Sequence, residues 1–436
     1  VSSRSNCYDF DDTSNEPAIR NRITKKARVI KGLVVKFHRS FLNIGISRIV
    51  QVSEQAKTVA PSFEKRTGEP FIYFQRGEVG YPTAPFIADG FKEAIEKGHT
   101  KYPKLGGEDY FKEAVLEDVY TNTALSFEKD NVVAVHGGQQ GLELVFSLFR
   151  GKTCTILTPC WSCMFDNILP YTESAFISVP LDPDNNWSIR WEELEKALSV
   201  SEVFYFNSPH NPTGKVFSVA EIKKIAHLCG KYGVTLVSDE AYKGLVYKSH
   251  HGEYSPLQTG YENIVSVNTF SKTFAATGFR IGYVLSPRKD IINLLTGGNY
   301  TETAGLSTPT QYAFAKALTH PDRMAWQASY WNEMSSRRTA LVQSLPSSLR
   351  AIAPEGAFYC FFKASSPNGE QKMVDTLMDN GIAVVPGSAF GRDFAGYIRL
   401  SFSTLNKQFI AIGAERLGSV LISQGIENAY CHQPLC

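Results

Sequence analysis

The sequence predicts an α/β fold: a mostly parallel sheet covered by helices on both sides, with a smaller α+β layer added towards the end of the chain. Three observations predict it. Short β-rich runs alternate with amphipathic helical stretches between about residues 130 and 285. Those runs are apolar throughout and do not alternate, as strands buried on both faces require. Beyond about residue 325 the alternation gives way to one long helical stretch followed by further short strands.

The elements follow in order. Val132–Val135 reads as a strand, and a glycine turn after it opens a helical stretch over Gln140–Phe149. Cys154–Leu157, Ala175–Val179 and Val203–Phe206 read as strands with helical stretches between them. Ser218 and Glu221 form a capping box. Val219, Ile222, Ile225, Ala226 and Cys229 then recur at helical spacing, so one face of that helix packs on a sheet. Gly233 stops it, and Val234–Val237, Ile264–Val267 and Ile281–Leu285 follow as strands. A long helix is expected over Ala325–Leu345. Strands Phe358–Phe362, Ala383–Val385 and Tyr397–Phe402, with a helix around Gln371–Asn380, form the smaller layer, which residues 45–85 are expected to complete. The expected division is an N-terminal extension (1–44), a first part of the small domain (45–85), a large domain (86–325) and a C-terminal small domain with a short tail (326–436).

Composition excludes several classes. The 436 residues carry 45 Lys+Arg against 43 Asp+Glu, a net charge of +2, which lacks the basic excess of a nucleic-acid binder. Apolar residues make up 43% of the chain, too many for a disordered one. No apolar run reaches the roughly 18–20 residues that span a bilayer. A core of this size needs no disulfides, and the eight scattered cysteines fit a reducing, cytoplasmic location. The first 20 residues lack the apolar stretch of a signal peptide. Cys160 and Cys163 form a C-x-x-C, readable as two loop thiols, a redox pair or half a zinc site, but no second pair stands at ligand spacing. Eight Lys/Arg and no acid lie between Arg20 and Arg39. Such a run reads as an arm on a partner subunit, with nucleic-acid or membrane contact as the alternative.

In open α/β sheets the chemistry lies beyond the carboxyl ends of the strands. After the first strand comes Gly137-Gly138-Gln139-Gln140-Gly141, a turn that lets backbone N–H groups at a helix N-terminus approach an anion, although glycine turns are common. Trp161 follows another strand, either as core or as a plate for a flat heterocycle. Asn207–Gly214 (NSPHNPTG) is a loop whose prolines and glycine fix the Asn211 amide in one orientation. Asp239 and Glu240 end a buried strand, as a surface acidic pair or as partners for a ring cation, with Tyr242 three residues beyond Asp239. Lys272 stands at the apolar mouth of the sheet, where burial lowers an amine's pKa and frees it for imine chemistry. Arg280, eight residues on, can return to the anion at the glycine turn.

Taken in this order, these residues resemble the class I/II aminotransferase family, the pyridoxal-phosphate (PLP) enzymes of fold type I. The likeness is strongest to the subgroup of prokaryotic-type aspartate and kynurenine aminotransferases. It is carried by GGQQG, PCW, NSPHNPTG, SDEAY, FSKTFAATGFRIGY, PEGAFY, VVPGSAFG and YIRLSFS, and runs from about residue 45 to 420. The resemblance implies a large PLP-binding domain and a smaller α+β domain. It implies that Lys272 forms the internal aldimine with PLP and then shuttles the substrate proton. Asp239 matches the carboxylate that keeps the pyridine nitrogen protonated. Tyr242 and Asn211 match the pair on the phenolic oxygen, and Trp161 the ring-stacking position. Gly138, Gln139, Thr269 and Arg280, with Ser271 as an addition, match the phosphate site. Tyr102 matches a tyrosine reaching the phosphate from the other subunit, which implies a homodimer with shared active sites. Arg399 matches the arginine that grips the substrate α-carboxylate as a bidentate fork. Gly77 and Asn211 are further substrate positions.

Departures from the pattern bear on substrate. The family usually follows the glycine with Glu-Pro-Asp-Phe; here Gly77 precedes Glu78-Val79-Gly80-Tyr81. Arg76 beside it is either an exposed cation or a contact for an anionic substrate side chain. Gln139 stands where aspartate-specific members place a lysine, which counts against aspartate as donor. The leading expectation is an aminotransferase of amino acid metabolism, acting on an L-amino acid and a 2-oxo acid, with no nucleic-acid or membrane partner. The alternative is a PLP lyase or synthase on the same fold, catalysing elimination, replacement or cyclisation like the aminocyclopropane-carboxylate synthases. A PLP-sensing regulator would carry a helix-turn-helix domain, for which about 44 residues before the core are too few.

Overall fold

Strands buried on both faces put two apolar helical layers around one sheet. A computed structural model describes residues 37–247, 254–347, 353–364 and 369–425. The acidic first positions, the basic stretch from Arg20 to Lys36, and Cys431–Cys436 lie outside the described residues. In chain order the strands and the helices of eight or more residues are α1 (Arg48–Thr67), β1 (Ile72–Tyr73), α2 (Pro85–Glu96), α3 (Asp109–Thr123), β2 (Val132–Val135), α4 (Gly138–Leu148), β3 (Thr153–Thr158), β4 (Ala175–Pro180), α5 (Trp191–Leu198), β5 (Val203–Asn207), α6 (Val219–Tyr232), β6 (Thr235–Asp239), β7 (Ile264–Thr269) and β8 (Gly282–Leu285). There follow α7 (Lys289–Thr303), α8 (Thr308–Leu318), α9 (Arg323–Ser344), β9 (Tyr359–Lys363), α10 (Glu370–Asp379), β10 (Ile382–Ala383), β11 (Val385–Pro386), β12 (Tyr397–Ser401) and α11 (Lys407–Ser423).

The seven-stranded sheet has the order β2-β8-β7-β6-β5-β3-β4. Only β8 runs antiparallel to its neighbours. Successive side chains along a strand go to opposite faces, and both faces are covered. Val132, Ala134, Phe204 and Phe206 join one apolar cluster with Phe86, Phe111 and Phe314 of α2, α3 and α8. Val133, Val135, Val203 and Tyr205 join a second with Leu142 and Leu295 of α4 and α7. The expected capping box opens α6: Glu221 N donates to Ser218 Oγ (3.2 Å), and Ser218 N donates to Glu221 Oε2 (2.8 Å). Gly233 ends that helix at φ 70°.

The last third of the chain builds a three-stranded antiparallel sheet, β11-β12-β9. Ile72, Phe74 and Val79 pack in its core with Phe358, Ile398, Leu400 and Leu417. Val52, Ala56 and Phe63 of α1 pack against Phe71, Met378 and Ala383. One sequence expectation is corrected here. Ala383–Val385 is not a single strand: Ile382–Ala383 pair in parallel with Ile72–Tyr73, and after Val384 the chain switches to pair Val385–Pro386 with β12. The reason is that Ser401 N donates to the Phe74 carbonyl (2.7 Å), so beyond Tyr73 the edge of β1 is taken by β12. Pro386, without an N–H, then ends the short ladder. Among the described residues no helix is long and apolar enough to cross a membrane.

Candidate active site

The loops after β2, β3, β5, β6 and β7 converge, as strands of one parallel sheet must. Lys272 lies in a one-turn helix, Phe270–Thr273, directly after β7. Tyr330 of α9 donates its hydroxyl to the Lys272 carbonyl (2.9 Å), which fixes the backbone. Lys272 Nζ donates to the Gly77 carbonyl at 2.6 Å, so the segment after β1 reaches the mouth of the large sheet. Burial, then the charges of Arg399 and Arg280, lower the Lys272 pKa to about 8. Among the described residues no carboxylate lies within ion-pair distance of its ammonium.

Asp239 and Glu240, adjacent at the end of β6, point to opposite sides. Glu240 Oε1 accepts from the hydroxyls of Ser238, Ser255 and Ser266 at 3.2, 2.9 and 2.9 Å. Asp239 accepts from Tyr205 Oη (2.7 Å) and Ala241 N (3.1 Å), and burial raises its pKa to about 6. The neighbouring loop is pinned to the same strand: Asn207 Nδ2 donates to the Asp239 carbonyl (2.9 Å), and Asn207 Oδ1 accepts from Asn211 N (2.8 Å). Asn211 Nδ2 donates to Tyr242 Oη (3.3 Å), and Tyr242 Oη bonds Tyr359 Oη (2.9 Å).

Arg399 closes this network. Its Nη1 donates to Asn211 Oδ1 (3.1 Å) and its Nη2 to the Gln75 carbonyl (3.0 Å). The guanidinium lies over the rings of Tyr359 (4.3 Å) and Phe390 (5.0 Å) and is 1% exposed. Its Nε has no hydrogen-bond partner among the described residues. A buried cation held by neutral acceptors and aromatic faces is set to take an anion.

A second cationic corner forms at the start of α4. Gly137 (φ 83°) caps that helix, and a Cβ built on it would stand 3.0 Å from Arg280 Nη2, so the arginine lies against bare backbone. The Thr269 side chain borders Gly138, 3.5 Å from where that residue's Cβ would be. The Thr269 hydroxyl bonds the Ile281 carbonyl (3.2 Å), with Ser271 Oγ 2.9 Å away. Free N–H groups of a first helical turn, two hydroxyls and a guanidinium suit a phosphate.

Other sequence candidates lie further out. Trp161 is half-buried, packed on the apolar layer under β3 and α4. Gln139 is exposed on the first turn of α4. Arg76 lies over the Tyr73 ring (4.4 Å). Tyr102 is 91% exposed and touches none of these groups. Burial raises the thiols of both Cys160 and Cys163, the latter to about 12, so neither offers a ready thiolate. Two residues escaped the sequence reading. Tyr359 ends the quoted PEGAFY, and its hydroxyl beside an apolar run was the available signal. Tyr205 was hidden in the strand Val203–Phe206, where a polar tip on an otherwise apolar strand calls for a partner.

This geometry has relatives. Residues 69–417 match the family model "Aminotransferase class I and II". The aspartate/prephenate aminotransferase of Thermus thermophilus is 30% identical over 393 residues, covering 86% of this chain and 99% of that protein. A probable aspartate aminotransferase of Methanocaldococcus jannaschii is 30% identical over 366 residues, covering 81% of this chain and 95% of that protein. Among solved structures, the Thermus thermophilus aspartate aminotransferase with maleate superposes with a TM-score of 0.82 at 27% identity, covering 88% of this chain and 100% of that one.

Proposed function

The chain belongs to the class I and II aminotransferase family and is an aminotransferase; from that premise we propose how its residues hold pyridoxal phosphate and move an amino group from an L-amino acid to a 2-oxo acid. The observation that carries the reading is Lys272: a buried amine, lowered to about 8, beside a buried arginine, with neither in an ion pair among the described residues. The donor set fits the cofactor at its other ends as well. Among the described residues Asp239 is a buried carboxylate held only by neutral donors, and Arg280 lies on the bare Gly137 backbone where an anion can be cradled.

Bound there, pyridoxal phosphate supplies a carbonyl that condenses with amines and a ring that draws electrons from the carbon beside them. Lys272 supplies the anchoring amine and afterwards takes the proton from the substrate α-carbon on Nζ. Its pKa of about 8 leaves part of the amine unprotonated near neutral pH. The Gly77 carbonyl orients that amine. In this reading Asp239 sets a negative charge against the ring nitrogen, and Asn211 and Tyr242 turn donors towards the phenolic oxygen. Trp161 covers the ring. The phosphate is taken by the first-turn N–H groups of Gly138 and Gln139, the hydroxyls of Thr269 and Ser271, and Arg280. Arg399 takes the α-carboxylate, and Arg76 meets the outer part of the substrate. Tyr102 serves the site of a second subunit in a homodimer, which fits its 91% exposure.

Reduction of the loaded protein with borohydride tests the core of this. Label is expected on Lys272 and none on Lys272→Ala. The labelling rate of the cofactor-free protein should climb as pH rises through about 8 and then level, because the unprotonated amine is the reactive form. A rate still climbing near pH 10 or label elsewhere overturns the assignment. Mixing with amino donors should convert the cofactor to its amine form, read by absorbance, and the donor that does so fastest identifies the substrate class.

A further inference from the structure

We propose that Tyr205 is a positioning residue for the Asp239 carboxylate, keeping it ionised and aimed at the cofactor's ring nitrogen. The inference rests on the role of Asp239 proposed above and adds a residue that acts through it.

The register of the sheet makes the contact. In β5 and β6 Tyr205 lies opposite Val237 and Asn207 opposite Asp239. Tyr205 and Asp239 therefore share one face of the sheet, two residues apart along the strand, a rise of about 6.6 Å. The phenol ring spans that rise, and its hydroxyl ends 2.7 Å from Asp239 Oδ2. Both residues are buried, 2% and 6% exposed. Among the described residues the other carboxylate oxygen takes only the Ala241 amide, at 3.1 Å.

Among the described residues the remaining titratable groups facing this carboxylate are the Cys160 thiol, the Tyr242 hydroxyl and the Glu240 carboxylate. None is a cation. A carboxylate in such surroundings gives up its charge unless donors hold it. Burial pushes Asp239 up, and the Tyr205 hydrogen bond is the largest influence pulling it back down. The phenol's own pKa is pushed well above its usual value, so Tyr205 stays a donor at any working pH. Because the hydroxyl's partner is fixed, the carboxylate cannot rotate freely, and one orientation is presented at the strand end.

The test compares Tyr205→Phe with Asp239→Asn, each loaded with cofactor labelled with nitrogen-15 in the ring. Tyr205→Phe keeps the ring that packs in the core and removes only the hydroxyl. Expected for Tyr205→Phe is a ring-nitrogen signal that shifts towards the unprotonated form at lower pH than in the parent. The dissociation constant of the cofactor-free protein for pyridoxal phosphate should rise about tenfold to a hundredfold, the range for losing one hydrogen bond to a charged group. Donor KM should stay constant while kcat falls. Substituting 3-fluorotyrosine at position 205, a stronger donor of nearly the same shape, should move the nitrogen signal the opposite way, and it serves even if the phenylalanine variant folds poorly. If Asp239→Asn moves the ring signal but neither Tyr205 variant does, the inference is overturned and the role of Asp239 stands. If Asp239→Asn leaves the ring signal unmoved, the underlying reading falls with it.

Discussion

At the scale of single residues the site is a set of buried charges kept apart from their opposites. Asp239 shows the cost. Its folded pKa of about 6 lies above the ordinary 3.8, so between those values the folded state holds a proton the unfolded chain has lost. Stability therefore falls as pH rises through that window, and above it the ionised carboxylate costs about 3 kcal/mol. Asp239→Asn should raise the Tm of the cofactor-free protein at pH 7.5 and leave it unchanged at pH 4, while weakening cofactor binding. Equal shifts at both pH values would contradict this. Arg76 makes a prediction about substrate: Arg76→Ala should raise KM for an acidic donor about tenfold, and for a neutral donor hardly at all, if it meets a substrate anion. Equal effects would leave it as a cation stacked on Tyr73. Which of these residues could be read from sequence follows a simple division. Lys272 and Asp239 stand at or just beyond strand ends and Asn211 in a rigid loop, where a parallel sheet gathers its polar groups. Tyr205 and Tyr359 sit in strands, where a tyrosine is also ordinary core, and only the partner of each hydroxyl, Asp239 for one and Tyr242 for the other, shows the difference.

Among elements, the contact between the loop after β5 and the segment before β9 joins two parts of the site. Gly214, at φ 73°, turns its carbonyl to accept from both Glu355 N (2.9 Å) and Gly356 N (2.8 Å). A Cβ there would stand 2.4 Å from Pro354 Cβ. Gly214→Ala should therefore separate Asn211 from the strand carrying Tyr359, lowering kcat/KM by at least tenfold together with Tm. Gly151 shares the same φ with open space around it, so Gly151→Ala should cost about 1 kcal/mol and leave kinetics alone. The strands of the large sheet were legible because unbroken apolar runs have few alternatives. The stretch Ala383–Val385 reads as one strand in sequence because nothing local shows that its ends have different partners, Tyr73 some 310 residues before Ala383 and Arg399 14 residues after Val385.

For the whole molecule, the exposed Tyr102 and the proposed homodimer stand or fall together. Inactive Tyr102→Ala and Lys272→Ala proteins, mixed and allowed to exchange subunits, should regain about a quarter of the parent activity, because each mixed dimer holds one intact site. No recovery would mean that each subunit works alone. The sequence made the α/β class plain from local pattern, yet it could not display how the two ends of the chain meet. Ile72 pairs with Ile382, and Tyr73 with Ala383, across some 310 residues. During synthesis at 5–20 residues per second, the N-terminal strand waits roughly 15–60 s before its partner exists. Throughout that interval Val52, Ala56 and Phe63 on α1 lack their cover from Met378 and Ala383. The apolar face of α1 is thus made some 310 residues ahead of the strand and helix that cover it, an exposure in time that the finished fold no longer displays.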